Sequence, residues 1–212
     1  MLDFFLNPYK DKAVLDIFIE IIVFLFGIMS VIYAKKENIL VFPVGLIATV
    51  LTVYLLYKVG YFADMTVNIY YSIMSVYGWI NWSKKKGDVP EYQISRATKK
   101  QKLLGLLMFT ITIWVMYGIY KLFDQPILQE NYIDIFTTGI FFTGMWFMAL
   151  KKIENWTLWI IGNLISIPLY GYRGLGILSL QFIIFTILAI MAYREWNAII
   201  QQQTQNIKST HE

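Results

Sequence analysis

Long runs of hydrophobic residues, separated by short polar stretches, fill most of the chain. A helix that crosses the hydrocarbon core of a bilayer needs about 20 predominantly apolar residues. Seven runs approach this length, and each is predicted to form one transmembrane helix. The predicted helices cover residues 17–34, 39–57, 62–82, 103–123, 133–150, 156–172 and 175–196.

The first three hydrophobic runs resemble the last three. The turn after the first run reads AKKENI at 34–39, and the turn after the fifth reads KKIENW at 151–156. The pattern indicates a duplication, with one three-helix repeat at 15–82 and a second at 133–196. The aligned pairs are Gly27 with Gly144, Glu37 with Glu154, Asn38 with Asn155, Gly45 with Gly162 and Trp82 with Trp196.

The fourth run, at 103–123, has no counterpart in the duplication and is predicted to be a linker helix. Three crossings leave the chain on the side opposite to its start, so one further crossing lets the second repeat begin where the first began. The two repeats then run parallel and are related by an axis along the membrane normal, an arrangement found in membrane transporters. We expect an all-α integral membrane protein with seven transmembrane helices.

The composition supports this fold class. Hydrophobic residues make up 58% of the chain and charged residues 15%, whereas a soluble domain carries about 25% charged residues. Cysteine is absent, and the one histidine is His211, in a polar C-terminal segment at 197–212, which excludes disulfides and cysteine or histidine clusters inside the membrane. No nucleophile–base motif or phosphate-binding loop occurs. We therefore expect no enzyme activity, no catalytic residues, no cofactor and no bound metal.

Lysine and arginine are unevenly divided between the two sides of the predicted bundle. Thirteen of the 18 lie on one side, seven of them in the polar loop at 83–102, and five lie on the other. The positive-inside rule places the lysine-rich side in the cytoplasm, with the N-terminal segment 1–14 outside and the C-terminal segment inside. The net charge of +4 is then a topology signal on a solvated loop rather than evidence of nucleic-acid binding. The alternative is that the basic loop forms a binding surface for a partner or for lipid headgroups. Trp82 and Trp196, near the lysine-rich ends of their helices, are typical of residues that anchor a helix at the membrane interface.

Polar and aromatic residues recur at helical spacing on one face of several predicted helices. Polar side chains at bilayer depth normally face the bundle interior or a cavity, so these faces are predicted to line a substrate site. Hydroxyl and amide groups that merely join neighbouring helices are the alternative. The faces carry Asp64, Asn68, Tyr71 and Ser75 in the third helix, Asp134 and Phe141 in the fifth, Trp156, Trp159, Asn163 and Tyr170 in the sixth, and Gln181 in the seventh.

The residue types on these faces indicate the chemistry of the ligand. Tryptophan and tyrosine stack on flat rings and attract cations, and asparagine and glutamine both donate and accept hydrogen bonds. The combination suits an aromatic ring attached to a sugar or an alcohol. Asp64 and Asp134 lie near the outer ends of their helices, where a carboxylate can cap a helix or hold charge in a vestibule as well as contact a substrate.

The stretch IENWTLWIIGN at 153–163, followed by Ser179-Leu180-Gln181, resembles the PnuC family of nicotinamide riboside transporters, whose most specific signature is Trp-x-x-Trp-x-x-x-Asn. The third helix, with Asp64 and the sequence YGWINW at 77–82, is similar to the same family. The resemblance covers 17–196 and implies a SWEET-like 3+1+3 fold with the N-terminus outside. The substrate-site residues that it assigns are Trp156, Trp159 and Asn163.

The resemblance also implies a function and partners. It implies facilitated diffusion of a vitamin precursor across the bacterial inner membrane, trapping of the substrate by a cytoplasmic kinase, and a homotrimer. Relatives are associated with thiamine, riboflavin or deoxynucleosides, and Asn68 stands where many nicotinamide riboside transporters carry glutamine. Nicotinamide riboside is the expected substrate, with these other compounds as alternatives, and a non-transporting membrane receptor is a further alternative.

Overall fold

The fold is given by a computed structural model that describes residues 13–59, 62–87, 89–122, 128–174 and 176–209. These residues form seven α-helices and one short β-hairpin. Each predicted run contains one helix, so the all-α fold class with three helices, a linker helix and three helices is confirmed. The elements are α1 (Val14–Lys35), α2 (Val41–Val59), α3 (Phe62–Ser83), β1 (Lys85–Lys86), β2 (Val89–Pro90), α4 (Lys99–Leu122), α5 (Gln129–Ala149), α6 (Glu154–Tyr172) and α7 (Gly176–Ser209).

Several helix ends differ from the prediction, and the start of α4 and the end of α7 differ in an informative way. α4 begins at Lys99 because Thr98 and Gln101 form a capping box. The Gln101 N–H donates to the Thr98 hydroxyl at 3.2 Å, and the Thr98 N–H donates to the Gln101 side chain at 2.9 Å. α7 continues through Ser209, so most of the polar segment predicted at 197–212 is helical. The predicted N-terminal segment lies outside the described residues up to residue 12, as does His211.

Five of the described helices are long and apolar enough, taken alone, to cross a membrane: α1, α2, α4, α5 and α7. The exceptions are α3 and α6, which carry most of the polar and aromatic faces. Their tyrosine, tryptophan, serine and asparagine residues lower the mean hydropathy. Each exception packs between two apolar helices, α3 between α2 and α5, and α6 between α5 and α7. The two helices that look least like spans therefore each turn one face toward two apolar neighbours.

The two repeats pack against each other with approximate two-fold symmetry. Within each repeat, consecutive helices are neighbours. Between the repeats, α1 packs on α7 and α3 packs on α5, so the first helix of each repeat meets the third helix of the other. The linker α4 packs on α5 and only slightly on α3. This arrangement is the one that two parallel repeats require.

The structure corrects the register of the duplication. The turn after α1 places Glu37 at φ 54°, and the turn after α5 places Lys151 at φ 52°. These residues are 114 positions apart, and the same step carries Phe42 to Trp156 and Trp82 to Trp196. The alignment of Glu37 with Glu154 is therefore wrong by nearly one helical turn. Glu37 and Asn38 lie in the turn after α1, whereas Glu154 and Asn155 begin α6. Sequence identity alone therefore aligned residues that are not structurally equivalent.

Trp82 and Trp196 occupy equivalent places and make equivalent contacts. The Trp82 Nε1–H donates to the carbonyl of Met148, and the Trp196 Nε1–H donates to the carbonyl of Ala34, both at 3.2 Å. Each bond reaches a carbonyl in the last turn of the other repeat's first helix, and that carbonyl also accepts the backbone N–H of Glu37 or Lys151 in the following turn. The two indoles are 7% and 0% exposed. Their interpretation as interfacial anchors is wrong, because they pack inside the bundle.

The same two tryptophans make matching ring contacts. Phe42 meets Trp82 edge-to-face at 5.0 Å and 89°, and Trp156 meets Trp196 edge-to-face at 5.5 Å and 87°. Edge-to-face pairs at this separation are favourable beyond the area that they bury. All four rings belong to one buried apolar cluster at the lysine-rich ends of the helices. This cluster therefore joins the two repeats at that end of the bundle.

The basic loop at 83–102 is partly folded onto the second repeat. The backbone of Ser95 pairs with the turn between α5 and α6 through two hydrogen bonds of 3.1 and 3.0 Å. Ile94 is 1% exposed and lies in the buried cluster. Lys152 donates from Nζ to the Ser95 hydroxyl at 2.7 Å, and partial burial lowers the pKa of this lysine. The middle of the loop, around Ile94, is therefore packed on the second repeat, whereas Lys84, Lys85, Lys86 and Arg96 are exposed to solvent, as the charge count predicted.

Candidate functional site

Five aromatic rings from four helices form a ladder between the two repeats. Phe182 stacks on Tyr170 at 5.0 Å and on Phe141 at 6.3 Å. Phe141 stacks on Trp159 at 5.1 Å and 27°, and Trp159 faces Tyr71 at 6.5 Å. Tyr71 comes from α3 of the first repeat, and the other rings come from α5, α6 and α7 of the second. This ring ladder brings together Tyr71, Trp159 and Tyr170 from the predicted faces of α3 and α6, but not Trp156.

Two buried polar atoms at the ladder have no hydrogen-bond partner among the described residues. They are the Trp159 Nε1–H, a donor, and the Asn163 Oδ1, an acceptor. Asn163 is 1% exposed and lies near the middle of α6. An unpaired buried polar group costs about 1–3 kcal/mol. The pair therefore offers a donor and an acceptor, one helical turn apart, to a polar ligand beside an aromatic surface.

Glycines on neighbouring helices make room for the rings of the ladder. A Cβ at Gly144 would lie 3.4 Å from the Trp159 Nε1, at the limit of ordinary contact. A Cβ at Gly162 would overlap the ring of Phe141. The stacking contact of Phe141 with Trp159 therefore requires a glycine at 162, whereas a Cβ at Gly144 would only just touch the indole. The duplication drew attention to these glycines as repeat markers, but it gave no sign of this role.

Trp156 lies apart from the ring ladder. Its ring is 1% exposed and packs on Trp196 in the cluster at the lysine-rich end. Its Nε1–H also lacks a partner among the described residues, as do the Asn155 Oδ1 and the Asn81 Nδ2 at the same end of the bundle. Of the two tryptophans in the signature, Trp159 thus belongs to the ladder and Trp156 to the packed end.

At the lysine-poor end, the Asp134 carboxylate accepts a hydrogen bond from Arg173 Nη2 at 2.6 Å, and both side chains are 23% exposed. The Arg173 guanidinium lies 5.8 Å from the Tyr170 ring, where the ladder begins. Because α5 is capped at Leu128, six residues before Asp134 in sequence, this carboxylate is not the helix cap. Sequence reasoning missed Arg173, since only the folded chain brings α5 and the end of α6 together.

The remaining predicted residues lie farther along the same helices. Asn68 donates from Nδ2 to the Asp64 carbonyl at 3.0 Å, within α3, and Asp64 itself is exposed. Gln181 lies against α1, since a Cβ on Gly27 would be 3.6 Å from its Nε2. Gln181 directly precedes Phe182, the ladder ring that sequence reasoning missed because phenylalanine in a hydrophobic run is typical of lipid-facing positions.

Two parallel three-helix repeats around a buried, ring-lined site with unpaired polar atoms define a membrane transporter. The sequence profile of the family described as "Nicotinamide mononucleotide transporter" matches residues 17–198. The chain belongs to this family. The resemblance that the sequence suggested and the assignment as a transporter rather than an enzyme are thereby confirmed.

Similar proteins include several named transporters. The nicotinamide riboside transporter PnuC of Escherichia coli (strain K12) is 23% identical over 193 residues, with 80% of this chain and 81% of that protein covered. The protein of the same name from Neisseria mucosa is 22% identical, with 84% and 71% covered. The riboflavin/roseoflavin transporter RibM of Streptomyces davaonensis is 19% identical over 128 residues, 58% of each chain.

A crystal structure of the vitamin B3 transporter PnuC has the same fold. It superposes on this chain with a TM-score of 0.70 at 20% sequence identity, covering 93% of this chain and 86% of that one. The similarity extends over both repeats and the linker helix, which supports the seven-helix arrangement of a multi-pass membrane protein.

Proposed function

We propose that this chain mediates facilitated diffusion of nicotinamide riboside. The observation that carries the proposal is the ring ladder with two unpaired polar atoms, the Trp159 Nε1–H and the Asn163 Oδ1. Nicotinamide riboside offers a cationic aromatic ring, a carboxamide and ribose hydroxyls. A cationic ring on the face of an indole gains about 0.5–2 kcal/mol, and the amide and hydroxyl groups match a free donor and a free acceptor.

The ladder gives each group a role. The nicotinamide ring stacks on Trp159 and Tyr71, the ring pair that joins the two repeats. The Trp159 Nε1–H donates to an oxygen of the substrate, and the Asn163 Oδ1 accepts from its amide or hydroxyl. Phe141 holds the Trp159 indole in place from the other side. Transport in this proposal runs down the concentration gradient and requires no coupling ion.

The other predicted substrate residues keep subordinate roles in this proposal. Arg173 and Asp134 form an ion pair at the lysine-poor end of the ladder, beside Tyr170. Substrate that enters from this side meets that pair before it reaches the rings. Asn68 and Gln181 remain predicted hydrogen-bond partners, and Asp64 a predicted vestibule charge. Trp156 remains a predicted contact for substrate leaving toward the lysine-rich end.

The orientation, assembly and metabolic setting belong to the same proposal. The lysine-rich side faces the cytoplasm of a bacterium, because thirteen of the 18 basic residues lie there. The N-terminus is then outside and the C-terminus inside the inner membrane. A cytoplasmic kinase that phosphorylates the riboside traps it, since a passive carrier otherwise stops at equal concentrations. A homotrimer is the assembly that the family resemblance implies.

Uptake into proteoliposomes tests the substrate. Purified protein is reconstituted, and entry of labelled nicotinamide riboside, thiamine and riboflavin is followed with and without the Trp159→Ala substitution. Saturable entry of nicotinamide riboside, abolished by the substitution, supports the proposal. Entry of riboflavin alone would favour the activity in the name of the Streptomyces relative. Binding of a ligand without entry would instead identify a receptor.

A further inference from the structure

An apolar groove of about 410 Å³ lies between α3 and α4, and two of its lining rings, Tyr70 and Phe142, contact the ladder ring Tyr71. The two helices barely touch, while α4 is held mainly by α5. One wall of the groove is made by Thr66 and Tyr70 of α3, and Phe142 of α5 contributes to its floor. The other wall is a continuous face of α4. The α4 residues in this face are Leu104, Leu107, Met108, Ile111, Thr112, Val115, Met116 and Ile119.

The groove lies in the membrane-spanning part of the bundle and is open along its length. From Leu104 to Ile119 the α4 face rises about 22 Å, at about 1.5 Å per residue. That length approaches the depth of the hydrocarbon core, about 30 Å. Ile111 and Val115, in the middle of the face, are 52% and 53% exposed. A groove of this shape inside a bilayer fits an extended acyl chain.

Both walls end in a lysine on the lysine-rich side. Stepping back by one helical turn from Leu104 along α4 reaches Lys100, on the same face of the helix. The exposed face of α3 continues through Ile73, Tyr77 and Ile80 to the end of the helix at Ser83, and Lys84 directly follows it. Neither lysine side chain forms an ion pair with the described residues. Two positive charges therefore mark the end of the groove that meets the membrane surface.

The α3 wall also has a depression beside its lysine. A shallow pocket of about 370 Å³ is lined by Trp79, Ile80, Ser83 and Lys84. Trp79 is 41% exposed, and tryptophan at this level typically lies among lipid headgroups. This pocket lies around α3 from the groove, because Trp79 is nine residues, or about 180° of helical rotation, from Tyr70.

We propose that this groove binds a phospholipid with an anionic headgroup. Its acyl chain lies along Ile111 and Tyr70, and its phosphate lies between Lys84 and Lys100. Charge complementarity selects the occupant, because each basic side chain near the membrane surface increases the affinity for an anionic headgroup by about fivefold. Bound there, the lipid fills the gap between the linker helix and the first repeat, which the protein itself leaves open.

Native mass spectrometry of the purified protein tests the lipid site. The protein in a neutral detergent is titrated with phosphatidylglycerol and with phosphatidylcholine of the same acyl chains. Wild type should bind the anionic lipid more tightly, and Lys84→Gln with Lys100→Gln should weaken that binding by about fivefold for each lysine. The matched control is Lys85→Gln with Lys86→Gln, on the neighbouring hairpin, which should leave it unchanged.

A second pair of variants tests the apolar part of the groove. Ile111→Trp fills it and should remove the bound lipid, whereas Leu106→Trp, on another exposed face of α4, should not. Equal binding of the two lipids, or no effect of the lysine substitutions, would overturn the proposal. An oligomer that carries no lipid and dissociates on Ile111→Trp would show instead that a second copy covers the groove. Riboside binding by the same variants reports the ladder separately, so the two proposals fail independently.

Discussion

Lys151 forms an ion pair with Glu37 across the boundary between the two repeats, with its Nζ 2.6 Å from Glu37 Oε1. Both residues occupy the same left-handed position in the turn after the first helix of their repeat. The Lys151 side chain is 5% exposed, and its Nζ lies 4.6 Å above the Trp82 ring. The approximate two-fold axis thus passes near an ion pair formed by equivalent residues of opposite charge.

The first prediction concerns this ion pair. Glu37→Gln leaves a buried ammonium without its carboxylate and should destabilise the protein by about 2 kcal/mol, less than for a fully buried pair because Glu37 is 33% exposed at its side chain. Removing both charges with Glu37→Gln and Lys151→Met should recover most of that loss. Thermal unfolding in detergent measures both. A single variant as stable as wild type would show that the pair does not hold the repeats together.

A second prediction concerns Gly162. An alanine there would press its Cβ into Phe141 and displace this ring from Trp159. We expect a loss of about 1–3 kcal/mol of stability and weaker riboside binding. Phe141→Leu in the same chain should restore stability but not binding, because the stacking partner is gone.

The matched control for Gly162 is Gly118→Ala. A Cβ at Gly118 meets nothing within 4 Å, and alanine has the higher helix propensity, so stability should be unchanged or slightly raised. Equal behaviour of the two alanine variants would contradict the role given to Gly162.

A third prediction concerns the two equivalent indoles. Trp82→Phe and Trp196→Phe each remove an N–H that donates to a carbonyl of the opposite repeat, and each should cost about 1 kcal/mol or more. Trp114→Phe, on the lipid-facing side of α4, is the control, since Trp114 is 69% exposed. Interfacial anchoring would instead make all three substitutions similar in effect.

A fourth prediction concerns the basic loop. Ile94→Ala should destabilise the protein by about 2–4 kcal/mol, because the side chain is 1% exposed in the cluster that joins the repeats. Ile80→Ala, at a position that is 54% exposed, should change stability little. If Ile94→Ala behaved like Ile80→Ala, the loop would be the solvated connection that the charge count predicted.

The fold could be predicted from the sequence because its signals are local. The length of each apolar run sets the number of helices, and the odd run at 103–123 makes the repeats parallel. The register of the duplication could not be predicted, because only the backbone of the folded turns pairs Glu37 with Lys151. Where two short polar turns have similar sequences, the backbone geometry shows which residues are equivalent, and sequence identity does not.

The site was predictable in part for the same reason. Helical spacing placed Trp159, Asn163 and Tyr71 on inward faces, and the structure brings Trp159 and Tyr71 into one ladder. Phe182 and Arg173 were missed because their partners lie on other helices. Spacing within a helix reveals which side faces inward, but it does not reveal which residues of a neighbouring helix that side contacts.

The central claim is that nicotinamide riboside binds on the indole of Trp159, and calorimetric titration of the purified protein measures this most directly. Wild type and Trp114→Ala, whose altered tryptophan faces lipid, should bind the riboside alike. Trp159→Ala should weaken binding by about tenfold, because it removes both the ring that stacks on the cationic substrate and the Nε1–H donor. Undiminished binding by folded Trp159→Ala protein would contradict the account.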